Sequence, residues 1–245
     1  MINPRTEMTL DSEQNPQMFR KWKRYLLESF VRCEFSVLRL GSSKFRYQTL
    51  PRDLTVFGPM LAPVRGCEDR ISVIKNHLPR QSQNVLDIGS NAGYYLFELA
   101  KLGYLCHGLE ADPDLVHYTA LAAYLQKAKG VSCEWERLDL SYIERMPPYD
   151  VILCLSVIHH VMLSEGVGVA ERILGGLASK TNHVMIYEMG QSNEIDADWS
   201  VRLPRMEPEP ETWISQWLKQ CGFRKVEMIG ASPTTVPRFL FAAYP

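Results

Sequence analysis

The chain has 245 residues, 46% of them hydrophobic and 22% charged, with a formal net charge of -1. That is the balance of an ordinary globular protein, long enough for one large α/β domain with an N-terminal extension. Near-neutral charge excludes a global positive field that would gather nucleic acid or anionic membrane, and leaves only a local basic patch open.

Residues 1 to about 16 read as loosely attached. The opening run MINPRTEMTLDSEQNPQ is polar and lacks the apolar stretch of a signal peptide, so a cytoplasmic location is expected. From Pro16 to Leu40, Phe19, Trp22, Leu26, Phe30, Val37 and Leu40 recur at helical spacing, with Lys21, Lys23, Arg24, Arg32 and Arg39 between them. This predicts an amphipathic helix with a basic, solvated face. Gly41–Gly66, punctuated by Pro51, Pro59 and Pro63, predicts an irregular connector, and Glu68–Leu78 a short helix ended by Pro79.

Beyond Arg80 strands and helices alternate. Strands are predicted at Asn84–Ile88, Tyr104–Glu110, Val131–Leu138, Tyr149–Leu155 and His183–Glu188. Helices are predicted from the first turn to about Leu102, and over Pro113–Lys127, Glu165–Ala178 and Glu209–Cys221. Val226–Ile229 and Arg238–Ala243 close the pattern, and the short connector around Pro233 makes them an antiparallel edge hairpin. The expectation is a Rossmann-like α/β fold: a seven-stranded, mainly parallel sheet with helices on both faces, preceded by a helical extension. No apolar run approaches the roughly 20 residues that span a bilayer. Cys33, Cys67, Cys106, Cys133, Cys154 and Cys221 are scattered, with no C-x-x-C pair. They read as reduced packing residues, with neither a zinc site nor a disulfide framework.

The most informative stretch is Val85-Leu86-Asp87-Ile88-Gly89-Ser90-Asn91-Ala92-Gly93, a buried strand running into a small-residue turn that opens a helix. Gly89 and Gly93 supply the clearance a Cβ would block. In the dinucleotide pattern G-x-G-x-x-G the later glycines fall here on Asn91 and Tyr94, and Asp87 would repel a pyrophosphate. The turn suits a cationic ligand better than NAD, so an NAD-linked oxidoreductase is disfavoured. Glu110 ends the second strand, where an acid can accept from both ribose hydroxyls, and Asp139 follows the third, where it can accept from an adenine amino group.

The runs DIGSNAG, GLEADP, RLDL and YDVILCLSVIHH resemble those of the class I S-adenosylmethionine-dependent methyltransferases, over residues from about 80 to 245. The resemblance implies that Asp87, Gly89 and Gly93 contact the methionine part, that Glu110 meets the ribose and that Asp139 lies at the adenine. Ser90, Asn91, Ala111, Ser156 and Tyr47 complete the expected S-adenosylmethionine set. The family most often has glycine where Asn91 stands, and asparagine also adopts unusual backbone angles. On this reading residues 1–79 are an N-terminal helical extension and lid, and 80–245 the S-adenosylmethionine-binding methyltransferase domain.

The acceptor side is expected where the fourth strand ends, along the run from Asp150 to His160. His159 and His160 are the catalytic candidates, since a hydroxyl nucleophile needs a base that titrates near neutrality; they can equally close the pocket. Arg46 and Arg65 before the domain, Glu188, Arg202 and Arg205 in the polar stretch after the fifth strand, and Arg238 at the last are the substrate-binding candidates. CLSVIHH with the late Pro-Arg-Phe-Leu-Phe run resembles phosphate-directed methyltransferases, those that cap RNA 5′ phosphates or terminate O-antigen chains. That implies a small-molecule, sugar or phosphorylated acceptor. Nucleic acid is not favoured, because the basic residues of the extension are offset by acids elsewhere. An RNA-modifying methyl or carboxymethyl transferase, and a non-catalytic protein that keeps the fold as a partner, are the alternatives.

Overall fold

A computed structural model describes residues 16–41, 43–49, 66–80, 83–194, 197–232 and 236–245. The expected loose N-terminal segment and most of the Pro-rich connector lie outside the described residues. The extension contributes α1 (Pro16–Gly41), a 3-10 turn (Ser43–Arg46) and α2 (Glu68–His77). The body follows as β1 (Asn84–Ile88), α3 (Tyr94–Ala100), β2 (Leu105–Glu110), α4 (Pro113–Gln126), β3 (Val131–Trp135), α5 (Leu140–Arg145) and β4 (Tyr149–Leu155). Then come α6 (Ile158–Glu165), α7 (Val167–Lys180), β5 (Thr181–Glu188), a second 3-10 turn (Ser200–Arg202), α8 (Pro210–Gln220), β6 (Lys225–Ser232) and β7 (Arg238–Tyr244).

The strands form one seven-stranded sheet in the order β3-β2-β1-β4-β5-β7-β6. β1 pairs in parallel with β2 and with β4, while β7 is antiparallel to both β5 and β6. β1 is therefore the strand from which the crossovers run in opposite directions, and a crevice opens at the carboxyl ends of β1 and β4. The pleat assigns alternate residues to two cores. Leu86, Ile152, Cys154, Met185, Tyr187 and Phe241 face α5–α8, while Val85, Val151, Leu153, Val184, Ile186 and Leu240 face α2 and α3.

The fourth strand ends at Leu155 as predicted, because Ser156 turns to φ 60°, which no ladder accommodates, and Ile158 begins α6. Two predicted boundaries are corrected. Gly166, at φ 92°, separates α6 from α7, so the helix expected from Glu165 starts at Val167. β3 ends at Trp135, and the six-residue α5, capped by Asp139, was not foreseen. The extension also enters the body directly: Cys67, Ile71 and Ile74 of the α2 region lie in the same apolar cluster as Val85 and Leu153.

Candidate active site

The turn after β1 has to leave the strand and cross the mouth of the sheet before α3 begins. Gly89 takes φ 69°, and a Cβ there would come within 2.6 Å of Val157 Cγ2, so only glycine fits. Asn91 takes φ 51°, a strained value that asparagine tolerates better than most residues. Its backbone N–H donates to Glu110 Oε2 at 2.8 Å, and the Asp112 N–H donates to Glu110 Oε1 at 2.9 Å. The Glu110 carboxylate is thereby fixed by two loops, and each oxygen keeps a lone pair for a ligand.

These groups border a cavity of about 320 Å³. Gly89, Asn91, Glu110 and Ala111 form one wall; Leu138 and Arg137 follow β3; Ser156, Val157 and His160 follow β4. Tyr47 and Gln48 cover it from the extension. They are placed there by Lys44, which bonds Asp112 at 2.8 Å, and by Phe45, whose ring packs 5.0 Å from Tyr118 of α4.

The polar atoms left over around this cavity are acceptors. Asp87 is 2% exposed and its Oδ2 has no partner, and Asn91 Oδ1 and Gln48 Oε1 are buried and unpartnered too. Buried acceptors in that state are costly until a donor arrives. Burial, reinforced by the Glu110 charge and opposed by Arg70, pushes Asp87 up to about 8. These acceptors suit a ligand that brings an ammonium and ribose hydroxyls, and S-adenosylmethionine brings both.

Past β4 the cavity meets a buried network. Ser156 donates its N–H to the Glu188 carbonyl at 2.7 Å and its hydroxyl to Glu188 Oε1 at 2.6 Å. Glu188, fully buried, also holds Arg70 at 3.3 Å. Arg238 Nη1 donates to Ser156 Oγ at 3.2 Å, and its Nε and Nη2 each bond Glu194 at 2.7 Å. The Arg238 guanidinium lies 5.4 Å over the Trp199 ring, and Trp199 lies 4.9 Å from the His159 ring. Gly190 makes that stacking possible, since a Cβ would fall 2.4 Å from Trp199.

The two histidines occupy different environments. His159 is 2% exposed and its Nδ1 accepts the Gly190 N–H at 3.1 Å. His160 packs 4.1 Å from it and lines the cavity. Partial burial and the Arg238 charge hold the His160 pKa below its usual value, so the ring is neutral at pH 7.

The structure brings together Tyr47, Gly89, Asn91, Glu110, Ala111, Ser156 and His160 around the cavity, with Asp87 one turn behind and Arg238 beside Ser156. Gly93 caps α3, and Ser90 is buried with its hydroxyl 3.5 Å from Cys133 Sγ. Other candidates are not on the cavity wall. Asp139 accepts the Tyr142 N–H at 2.7 Å as the cap of α5, and Glu188 is sealed behind Ser156 by Arg70. Arg202 donates to the Leu163 carbonyl at 3.4 Å, and Arg205 is exposed beside Glu207. Arg65 and the Arg46 side chain lie outside the described residues. Gln48, next to Tyr47, also lines the cavity, as do Val157 and Arg137, which were not singled out and which nothing in their local pattern distinguishes. Glu194, the partner of Arg238, had no signature either.

Residues 86–179 match a family model described as a methyltransferase domain. The tRNA U34 carboxymethyltransferase of Helicobacter pylori (strain Shi470) is 31% identical over 97 residues, covering 36% of this chain and 34% of that protein. The protein of the same name from Nautilia profundicola is 23% identical over 172 residues, 65% of this chain and 53% of that protein. The chain thus spans between about a third and about half the length of the curated relatives it matches. The bifunctional kinase-methyltransferase WbdD superposes with a TM-score of 0.72 at 22% identity, over 86% of this chain and 46% of that one. Magnesium protoporphyrin IX methyltransferase from Synechocystis PCC 6803, with bound SAM, gives a TM-score of 0.54 at 21% identity over 72% of this chain and 76% of that one. These structural likenesses are likenesses of fold.

Proposed function

We propose that this chain, whose residues 86–179 match a methyltransferase domain, is a class I S-adenosylmethionine-dependent enzyme that transfers a methyl group to an oxygen of a small-molecule, sugar or phosphorylated acceptor. The observation that carries the reading is a pair of acids at the crevice: Glu110 on its wall, held by two backbone N–H groups, and Asp87 buried nearby with its Oδ2 unpartnered.

When bound, S-adenosylmethionine supplies a methyl group already activated on a sulfonium, so the protein's task is chiefly orientation. Asp87 and Glu110 would hold the methionine part and the ribose of the cofactor at the ends of β1 and β2. Tyr47 and Gln48 exclude water from above. Ser156, fixed by Glu188 and Arg238, sets the floor of the acceptor side. His160 is neutral and faces the cavity, so it takes the proton when the nucleophile is a hydroxyl. A phosphate oxygen is already anionic and needs no base; Arg238 then positions it. His159 serves by packing. The six cysteines, none of them in a disulfide, fit a reducing, cytoplasmic setting.

A second reading, transfer of a methyl or carboxymethyl group to RNA, is favoured by the H. pylori and N. profundicola relatives alone. It requires binding that weakens steeply with salt.

Calorimetry with S-adenosylhomocysteine and with NADH, on the wild type and on Glu110→Ala, tests the cofactor assignment. S-adenosylhomocysteine alone should bind, and only with Glu110 in place; binding of NADH, or of neither, would remove the proposal. Turnover of radiolabelled S-adenosylmethionine on sugars, sugar phosphates and tRNA then separates the two readings. Binding without turnover on any arm would point to a non-catalytic partner protein.

A further inference from the structure

Among the described residues, α1 packs against α4. Val31 is buried there, and Glu34 meets His117 of α4 at 2.8 Å. On the other side Trp22, Leu26, Phe30 and Val37 stay 58%, 47%, 72% and 68% exposed, with Cys33 also exposed among them. Their spacing of three or four residues makes one continuous apolar stripe along the helix. An amphipathic helix normally turns such a stripe inward, and an exposed apolar row of this length marks an interaction surface.

The charge beside the stripe says what covers it. α1 carries Arg20, Lys21, Lys23, Arg24, Arg32 and Arg39 against Glu28 and Glu34, six positive and two negative, a net of +4 on a chain whose total is -1. Two copies packed stripe to stripe would set +4 against +4. A nucleic acid would neutralise the charge but leave Leu26 and Val37 in water. A bilayer with anionic headgroups satisfies both features, because apolar side chains enter the headgroup boundary while lysine and arginine stay among the phosphates. Trp22 and Tyr25 are of the residue types that settle at that depth.

We propose that α1 docks the protein on the surface of an anionic lipid bilayer, lying along the interface. It does not cross it: no helix among the described residues is long and apolar enough to span a membrane. This docking stands independently of the acceptor chemistry above.

The test uses the full chain with vesicles of phosphatidylcholine alone and of phosphatidylcholine with phosphatidylglycerol, at low and high salt. Variants are Leu26→Glu with Phe30→Glu, and Lys21→Gln with Lys23→Gln. All four positions are exposed, and S-adenosylhomocysteine binding checks that each variant keeps its fold. The expected result is co-sedimentation with anionic vesicles only, with the glutamate pair weakening it by about a hundredfold or more. Each lysine removed should weaken it by about fivefold. Failure to bind anionic vesicles, or equal binding to neutral ones, would overturn the proposal. So would a concentration-dependent dimer, or RNA binding in the absence of lipid binding, that the glutamate pair abolishes.

Discussion

Glu110, at the end of β2, accepts the Asn91 amide at 2.8 Å, so the acid set to hold a ribose also braces the turn that follows β1. The same carboxylate accepts the Asp112 amide at 2.9 Å. Glu110→Gln can satisfy one of those amides but turns its own NH2 toward the other. Replacing one charged acceptor costs about 1.5–3 kcal/mol, so affinity for S-adenosylhomocysteine should fall by about ten- to a hundredfold. Hydrogen exchange at Asn91 or Asp112 should quicken in the ligand-free variant. Affinity loss with both amides still protected would separate the ribose contact from the brace.

Asp87 couples cofactor binding to pH. Its carboxyl titrates at about 8 in the fold, against 3.8 ordinarily. Between those values the ligand-free folded chain holds one more proton than the unfolded chain, so this residue makes stability fall as pH rises through that window. Asp87→Asn removes the slope. Its ligand-free melting midpoint at pH 9 should exceed that of the wild type by about 3 °C, the shift that ~1 kcal/mol produces in a chain of this size. At the same time its affinity for S-adenosylhomocysteine should drop by at least about tenfold. A variant less stable at pH 9 would sink this account of Asp87.

Arg70 and Glu188 tie α2 to the end of β5 at 3.3 Å with both side chains buried. Removing one partner leaves the other charge in a dry interior. Arg70→Met should lower stability in urea by about 3–5 kcal/mol. Adding Glu188→Leu should restore more than half of the loss, as a pair of apolar groups replaces a pair of ions. If the double variant is no better than the single, the damage comes from lost packing around Tyr95 and not from the orphaned charge.

The adjacent histidines should separate cleanly. His159→Ala leaves the Gly190 N–H without an acceptor and removes a ring from under Trp199; about 1–3 kcal/mol of stability should go, with turnover reduced only as folding is. His160→Gln should leave the melting midpoint nearly unchanged and lower kcat on a hydroxyl acceptor by about a hundredfold. Because burial and Arg238 lower the His160 pKa, wild-type activity should be flat through pH 7 and fall only on the acid side of 6.5. His160→Gln should lose that acid limb; an unchanged profile in the variant would assign the limb to another group.

The sheet was legible because its strands are nearly continuous apolar runs broken by proline, glycine and charge, and a buried parallel strand has to look like that. Part of the crevice wall was legible for a related reason. Gly89 and Glu110 stand at strand ends, and strand ends can be counted. What escaped notice depends on contacts distant in sequence. Nothing around Ser156 announces a left-handed residue; its conformation is held by Glu188 and Arg238 from two other strands. The helix that begins at Ile158 was accordingly not foreseen. Leu140–Arg145 is too short to show a helical period, so nothing in the run signals that Asp139 caps a helix. Gln48 and Glu194 sit on irregular backbone, and only the folded chain shows what they touch.

β7 runs against its neighbours, so Arg238 at its beginning stands at the same edge as Ser156 and Glu188 at the ends of β4 and β5. No part of the crevice can form locally: each wall waits for a pairing between distant segments, and such pairings close long loops before they yield any reward. A ligand that needs all the walls together recognises only the finished fold and stabilises it by mass action. Cofactor supply would thus govern how much of this chain stays folded in a cell, and hence its lifetime, before a single acceptor is modified.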